Sequence, residues 1–341
     1  MFIADKCELK EGIKKFKNKR VLVIGDMAID EMVYGTTDRM SREAPVLILR
    51  HYKTKIILGA ASNAAHNVAS LNGGKVSVIG VYGKDDYYSD ILINTFNEAG
   101  INTDFMVQDK DRVTTVKSRI SGSCSQSVTQ QIVRIDRETV APLSIQTEEK
   151  ILKNIEEALP LHDAVILSDY NIGMLSEKII NKSIELCKKY NKIIVVDSQR
   201  ELDRFQRVTS MTPNKPDSES FSGVVIRDEN SLKKAGNVML ERTKAESVLI
   251  TLGDEGMALF ENSGNYTQIP VFNKTDVFDV TGAGDTVVAT YTLALACGLS
   301  KKNAAILGNM AASIVIRYFG CATTTPDDLI SAVDKLNFQN L

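Results

Sequence analysis

Six short runs in this chain are largely apolar from end to end: RVLVIGD (20–26), KVSVIG (75–80), AVILSD (164–169), KIIVVD (192–197), RVTSMT (207–212) and SVLITLG (247–253). They do not alternate as a strand with one wet face would, so both faces of each need cover. Between them lie helix-length patterns at 60–71, 87–99, 146–158, 177–190, 231–242, 284–297 and 302–317. The βαβα alternation leaves few architectures open and predicts an α/β fold, a doubly wound, mainly parallel sheet with helices on both faces. Several runs end in Gly, Ser or Asp, at the edge where open α/β sheets bind ligands.

Two segments depart from this rhythm. Residues 33–58 and 113–136 are rich in Val, Ile, Thr and charge and alternate in places. They predict antiparallel strands of a small second sheet, placed as a lid over the carboxyl edge of the large one. With no long linker, low-complexity tract or internal repeat, residues 1–341 are expected to form one domain.

Composition removes several function classes. A formal net charge of −2 over 341 residues gives no general pull toward nucleic acid or membrane. The basic cluster EGIKKFKNKR (11–20) predicts the solvated face of an N-terminal helix. Five scattered cysteines without a CxxC pair argue against a disulfide framework and a thiolate zinc site. Three histidines without an HExxH arrangement leave a metalloprotease unsupported. The N-terminus lacks an apolar signal core, and no run of about 18 apolar residues occurs, which predicts a cytoplasmic protein.

The chemistry concentrates in DVTGAGDTVVAT (279–290). An apolar helix follows and ends at Gly298, so Gly282, Ala283 and Gly284 lie at its N-terminus. There the first amides have no intrahelical acceptor, and small residues let an anion reach them. Asp285 in the first turn would repel a phosphate, unless its task is to take the proton of a hydroxyl attacking that phosphate. An Asp in a first helical turn is also favoured by the macrodipole alone, and Gly-x-Gly by itself is a weak signal. Rival phosphate motifs fail: GxxxxGK[ST] is absent, and the first strand runs into GDMAID rather than GxGxxG.

The segment DVTGAGDT resembles the C-terminal signature of the PfkB, or ribokinase-like, family of sugar and nucleoside kinases, and the resemblance extends over roughly residues 20–335. VLVIGDMAID resembles the opening strand with its substrate-binding acids, and LGAASNAAHNVASLNG (58–73) the GGAAxNxA helix. TPNKPDSE (212–219), TLGDEGMALF (251–260) and NMAASIVIRYFGC (309–321) resemble the nucleotide-side segments in order. Within the family, RMSREAPV (39–46), TTVKSRI (114–120), QQIVRID (130–136) and SDYNIG (168–173) are similar to the D-glycero-β-D-manno-heptose 7-phosphate kinases. The chain departs from their pattern at Ala60 (for Gly), Asp217 (for Glu), Ile172 and Gln199 (each for Lys).

The resemblance implies a ribokinase-like fold and ATP-dependent phosphoryl transfer, with Asp285 as general base and the amides of Gly282, Ala283 and Gly284 as the anion hole. It assigns Asp26, Asp30, Gly59, Asn63 and Asp169 to the sugar, with Lys117 and Arg134 on the lid as a clamp for a phosphate the sugar already carries. Asn214, Asp217, Thr251, Gly253, Gly256 and Asn309 are expected to border the nucleotide. Asp217 would hold Mg²⁺ through water, and Asp279 would lie beside a monovalent cation such as K⁺. A hexose, ketose phosphate or nucleoside acceptor, or a non-catalytic sugar-binding protein, are the alternatives. Exposed lid edges predict a homodimer.

Overall fold

The structure is a computed structural model that describes residues 5–335 except 85, 125–128, 273–276 and 278. Along the chain the strands are β1 (Val21–Gly25), β2 (Met27–Met40), β3 (Leu47–Ala60), β4 (Val76–Ile79), β5 (Val81–Gly83), β6 (Val107–Asp109) and β7 (Thr115–Ser123). There follow β8 (Gln130–Arg137), β9 (Ala164–Asp169), β10 (Ile193–Ser198), β11 (Ser210–Met211), β12 (Ser247–Thr251), β13 (Met257–Glu261) and β14 (Tyr266–Ile269). The helices are α1 (Lys6–Lys15), α2 (Ala61–Asn72), α3 (Tyr87–Glu98), α4 (Ile145–Ala158), α5 (Glu177–Lys189), α6 (Lys215–Ser222), α7 (Glu229–Thr243), α8 (Ala283–Ala296), α9 (Lys301–Val315) and α10 (Pro326–Lys335).

The main sheet has the order β14-β13-β12-β11-β10-β9-β1-β4. From β4 to β12 the pairings are parallel, as fully apolar strands require, and β13 and β14 add an antiparallel edge. Apolar clusters lie on both faces: α2, α8 and α9 pack on one, α4, α5 and α7 on the other. The fifth predicted run, 207–212, is shorter than expected. Arg207 takes a left-handed φ of 60°, which breaks the extended run and leaves a two-residue β11.

The second sheet has the order β3-β2-β7-β8. It is not wholly antiparallel: β2–β3 and β7–β8 are, but the central β2–β7 pair is parallel. The expectation from alternation alone is corrected here. β2 leaves the main sheet directly after β1, and β7 leaves the same side, so both run outward in one direction. The first lid strand also starts earlier than predicted, since Met27 to Asp30 are buried at the base of the sheet. Among the described residues no helix is long and apolar enough to cross a membrane.

Candidate active site

Helix α8 is buried on all sides from Asp285 to Leu295, between the main sheet and α2 and α9. Its N-cap is Gly282 at φ 78°, and a Cβ there would come within 2.6 Å of Asn63 Nδ2. Glycine thus serves both the left-handed turn and the close approach of α2. The loop before it is held by Asp279, which accepts from the Thr281 N–H and hydroxyl (2.9 and 2.7 Å) and from the Gly320 N–H (2.9 Å). Burial pushes the Asp279 carboxyl up, but these hydrogen bonds outweigh it and leave it below its ordinary range.

The three expected anion-hole amides are not equivalent. The Ala283 N–H donates to the Val280 carbonyl at 3.2 Å, whereas those of Gly282 and Gly284 have no backbone partner among the described residues. A Cβ on Gly284 would meet nothing within 4 Å, and the residue borders an open cavity.

Asp285 is only 6% exposed. Its Oδ2 accepts from Asn63 Nδ2 at 2.7 Å and its Oδ1 from the Tyr170 hydroxyl at 3.0 Å. Asn63 is fixed in turn: Asn67 donates to its carbonyl, and Thr286 of α8 donates to Asn67 Oδ1 at 2.8 Å. Asn63 is fully buried and supports the Asp285 carboxylate. Burial raises the Asp285 carboxyl to about 6 against the lowering effect of Asn63 and Tyr170; Asp30 raises it further and Lys117 lowers it. A carboxylate with that affinity is a competent proton acceptor near neutral pH.

The lid presents one charged face to this point. Asp30 lies opposite Lys117 and Lys117 opposite Asp136, while Arg119 lies opposite Arg134. The Lys117 ammonium stands 5.1 Å from the centre of the Tyr170 ring. Arg119 contacts Asp30 at 2.5 Å, although the pair is not aligned as a hydrogen bond and Asp30 Oδ1 and Arg119 Nη1 have no other partner among the described residues. A Cβ on Gly59 would come within 2.7 Å of Asp30 Cγ, so this glycine makes room for that carboxylate. Arg134 is instead turned onto Asp136 in a two-point ion pair (2.8 and 2.9 Å) at the exposed edge.

Two expected sugar ligands are engaged elsewhere. Asp26 accepts from the N–H groups of Tyr170, Ile172 and Met174 at 2.8 to 3.2 Å. Asp169 points to the far side of the same loop, where it accepts from the Asn171 N–H and pairs with Arg204 at 3.3 Å. It is raised to about 6 by burial and by Asp26, and it is not brought together with Asp285.

On the other flank of α8, Thr251, Gly253, Gly256, Asn309, Ala283 and Gly284 line a cavity of about 480 Å³. Its remaining wall is mainly apolar, from Met257, Val271, Val277, Val280, Val287 and Ile316. A Cβ on Gly256 would lie 2.1 Å from the Ile269 carbonyl oxygen, and Asn309 donates to the Pro270 carbonyl at 2.7 Å. Asn214 and Asp217 do not line the cavity. Asn214 caps α6 by accepting from the Asp217 N–H, and its backbone bridges to Thr251. Asp217 is raised to about 6, mainly by burial. Asp197, at the end of β10, reaches about 7 through burial and the nearby charges of Asp285 and Asp217.

Sequence reasoning passed over Tyr170, Asp197 and Cys321 and gave Arg119 less weight than its neighbours. Two of these had a signal. Arg119 is two residues from Lys117, hence on the same strand face, and Tyr170 directly follows the carboxyl edge of β9. Cys321, whose thiol lies 3.7 Å from Asp30 Oδ2 and whose pKa burial pushes up, had none. Ala60 has φ 49° where the family pattern has Gly. With ψ −137° the residue lies outside the left-handed helical well, so the alanine there carries backbone strain of about 1–3 kcal/mol.

The model of the pfkB family carbohydrate kinases matches residues 18–328. The chain is similar to the bifunctional protein HldE of Desulfatibacillum aliphaticivorans, 39% identical over 318 residues that cover 93% of this chain and 63% of that protein. It therefore spans less than two thirds of that relative. In fold it is similar to Escherichia coli phosphofructokinase-2 solved with potassium (TM-score 0.76, 19% identity, 93% of this chain and 98% of that one). It is also similar to Arabidopsis thaliana ribokinase solved with ribose and ATP (TM-score 0.71, 17% identity, 94% and 99%). With a family match along nearly its whole length and the glycine turn, buried acid and lid in one place, the chain belongs to the pfkB family of carbohydrate kinases.

Proposed function

We propose that the chain transfers the γ-phosphoryl group of ATP to a hydroxyl of a sugar phosphate, with D-glycero-D-manno-heptose 7-phosphate as first acceptor and Asp285 as general base. The observation that carries this reading is the buried Asp285 carboxylate, held by Asn63 and Tyr170, one residue from Gly284 on the wall of the 480 Å³ cavity. The Gly282 and Gly284 amides would neutralise the phosphoryl group in flight, and Ala283 would do so only by giving up its bond to Val280. Asp30 and Arg119 are the groups placed to orient sugar hydroxyls, and Lys117 is placed to meet an anionic acceptor.

The residues present fit a nucleotide with Mg²⁺. Gly284 leaves a cradle that a side chain would fill, and the charges of Asp285 and Asp217 raise the proton affinity of Asp197. Among the described residues no three His, Cys, Asp or Glu side chains cluster to hold a metal on their own. That suits Mg²⁺, which keeps several waters; Asp217 would hold it through water beside Asn214. When bound, the ion neutralises phosphate charge. Asp279, ionised and aimed at the Thr281–Gly320 turn, would lie near a monovalent cation, a reading that the potassium complex of phosphofructokinase-2 supports. We place a homodimer contact on the lid, where β8 is exposed along its whole length.

An unphosphorylated sugar is the second reading, favoured by the Arg134 fork being occupied by Asp136. Coupled ADP release against free and phosphorylated sugars decides between them, and turnover of free sugars alone would remove the clamp role of Lys117. In the same assay Asp285→Asn should lose at least about 100-fold in kcat while keeping nucleotide affinity. A variant that retains turnover ends the general-base assignment.

A further inference from the structure

The segment after β9 is built with more care than a connecting loop needs. The N–H donors of three alternate residues, Tyr170, Ile172 and Met174, converge on Asp26, at the end of β1. Arg112 clamps the same turn from outside, donating to the carbonyls of Ile172 and Ala141 at 2.6 Å each and to that of Thr139. Asn171 supplies the left-handed residue, at φ 58°. What this scaffold delivers is the Tyr170 hydroxyl, 3.0 Å from Asp285 Oδ1. The opposite oxygen is held by Asn63 from α2. Two donors on two separately anchored elements thus fix the plane of one carboxylate.

We propose that Tyr170 is a positioning residue for the reaction: by donating to Asp285 Oδ1 it locks the base's carboxylate toward the acceptor, and through Lys117 over its ring it ties that orientation to the lid. This deepens the assignment of Asp285 as base and rests on it. Asp26 then acts as the keystone of the Tyr170 loop, not as a sugar ligand. Burial above all, with the charges of Asp285 and Asp197, holds the Tyr170 phenol well above its ordinary range, so it remains a donor throughout the working pH. A hydrogen bond given to the ionised carboxylate favours that form. The other groups facing Asp285 are Asp30 from β2, Lys117 from β7, Asp197 from β10 and Cys321 from the segment after α9, with Arg119 behind Asp30.

The test uses the full chain with ¹³C-labelled aspartate carboxyls, the Asp285 resonance being assigned by its loss in Asp285→Asn. In Tyr170→Phe the Asp285 titration should move up by about one pH unit. With heptose 7-phosphate and ATP, kcat should fall about tenfold, KM for ATP should hold, and the acid limb of the rate profile should rise with the titration. Placing 3-fluorotyrosine at position 170, a stronger donor of nearly the same shape, should move the titration the opposite way. Opposite signs from two conservative changes are not produced by a merely structural role. An Asp285 titration unmoved by both changes overturns the proposal. An active Asp285→Asn enzyme instead removes the base assignment, a result read independently of the titration.

Discussion

The main sheet and the lid divide the work of this molecule unevenly. In β1 and β9 every residue is buried, and the helices close over both faces. In β8 every residue is exposed, and Ile132, Val133 and Ile135 each leave more than two fifths of their surface in water. Yet Asp30, Lys117 and Arg119 are lid residues, while the main sheet contributes mostly the carboxyl ends from which the loops leave. Burial supplies stability where side chains are interchangeable apolar bodies, at about 25 cal/mol per Å². Charged groups that must meet a changing substrate are carried where the backbone ladder, rather than a core, holds the strands. The joint is short: Gly25 ends β1, Asp26 holds the Tyr170 loop, and Met27 already begins β2.

That joint gives the largest expected effect. A methyl added at Gly25 would lie 2.0 Å from the Ser168 carbonyl oxygen and 3.1 Å from Ala61 Cβ, in the middle of the main sheet. Backbone must shift, so Gly25→Ala should cost about 3 kcal/mol in urea unfolding. The same methyl at Gly59 meets first the Asp30 side chain, at 2.7 Å from Cγ, and not backbone. Gly59→Ala should therefore unfold within about 1 kcal/mol of the parent but show a raised KM for the sugar with KM for ATP unchanged. Equal stability losses for the two variants would erase the distinction between core and lid.

The difference also explains what the sequence made legible. Strands covered on both faces announce themselves as unbroken apolar runs, and the predicted helices agree with the observed ones to within about two residues. The lid was recognisable by composition, but its parallel central pair was not, because alternation reports which face is wet and not which neighbour is paired. Asp285 was readable because a helix N-terminus is a local feature. Asn63 was placed against the sugar, and its hydrogen bond to Asp285, 222 residues away, was not legible. Asp26 and Asp169 were both assigned to the sugar by the resemblance, and in the fold one staples the Tyr170 loop while the other pairs with Arg204 behind it.

A smaller effect is expected at the lid surface. β3 and β8 are the two edges of the lid sheet, and a free edge with exposed apolar residues is a template for association. The wild-type chain should run at twice its monomer mass in light scattering, and Ile132→Lys with Ile135→Lys should return it to one. Since neither side chain is buried, the double variant should keep its monomer unfolding midpoint to within about 0.5 kcal/mol per site. A monomeric wild-type chain would leave β8 as an edge tolerated for its charges alone.

The smallest stability change, and the one that separates the two kinds of region most sharply, is at Gly284. This glycine lies in the first turn of a deeply buried helix, so the lesson of Gly25 would predict a severe loss on adding a methyl. The surroundings say otherwise, because a Cβ there meets nothing within 4 Å and φ is not in the left-handed range. Replacing a helical glycine by alanine lowers the entropy of the unfolded chain, so Gly284→Ala should be unchanged or more stable by up to about 1 kcal/mol. Turnover should nonetheless fall, by about 10²-fold if the methyl stands where the phosphoryl oxygens must approach the amide. A glycine whose replacement strengthens the fold and weakens the reaction is kept for the ligand, and only an emptied cradle explains both signs together. If Gly284→Ala turns over normally, the open space before that amide is not where the phosphoryl group passes.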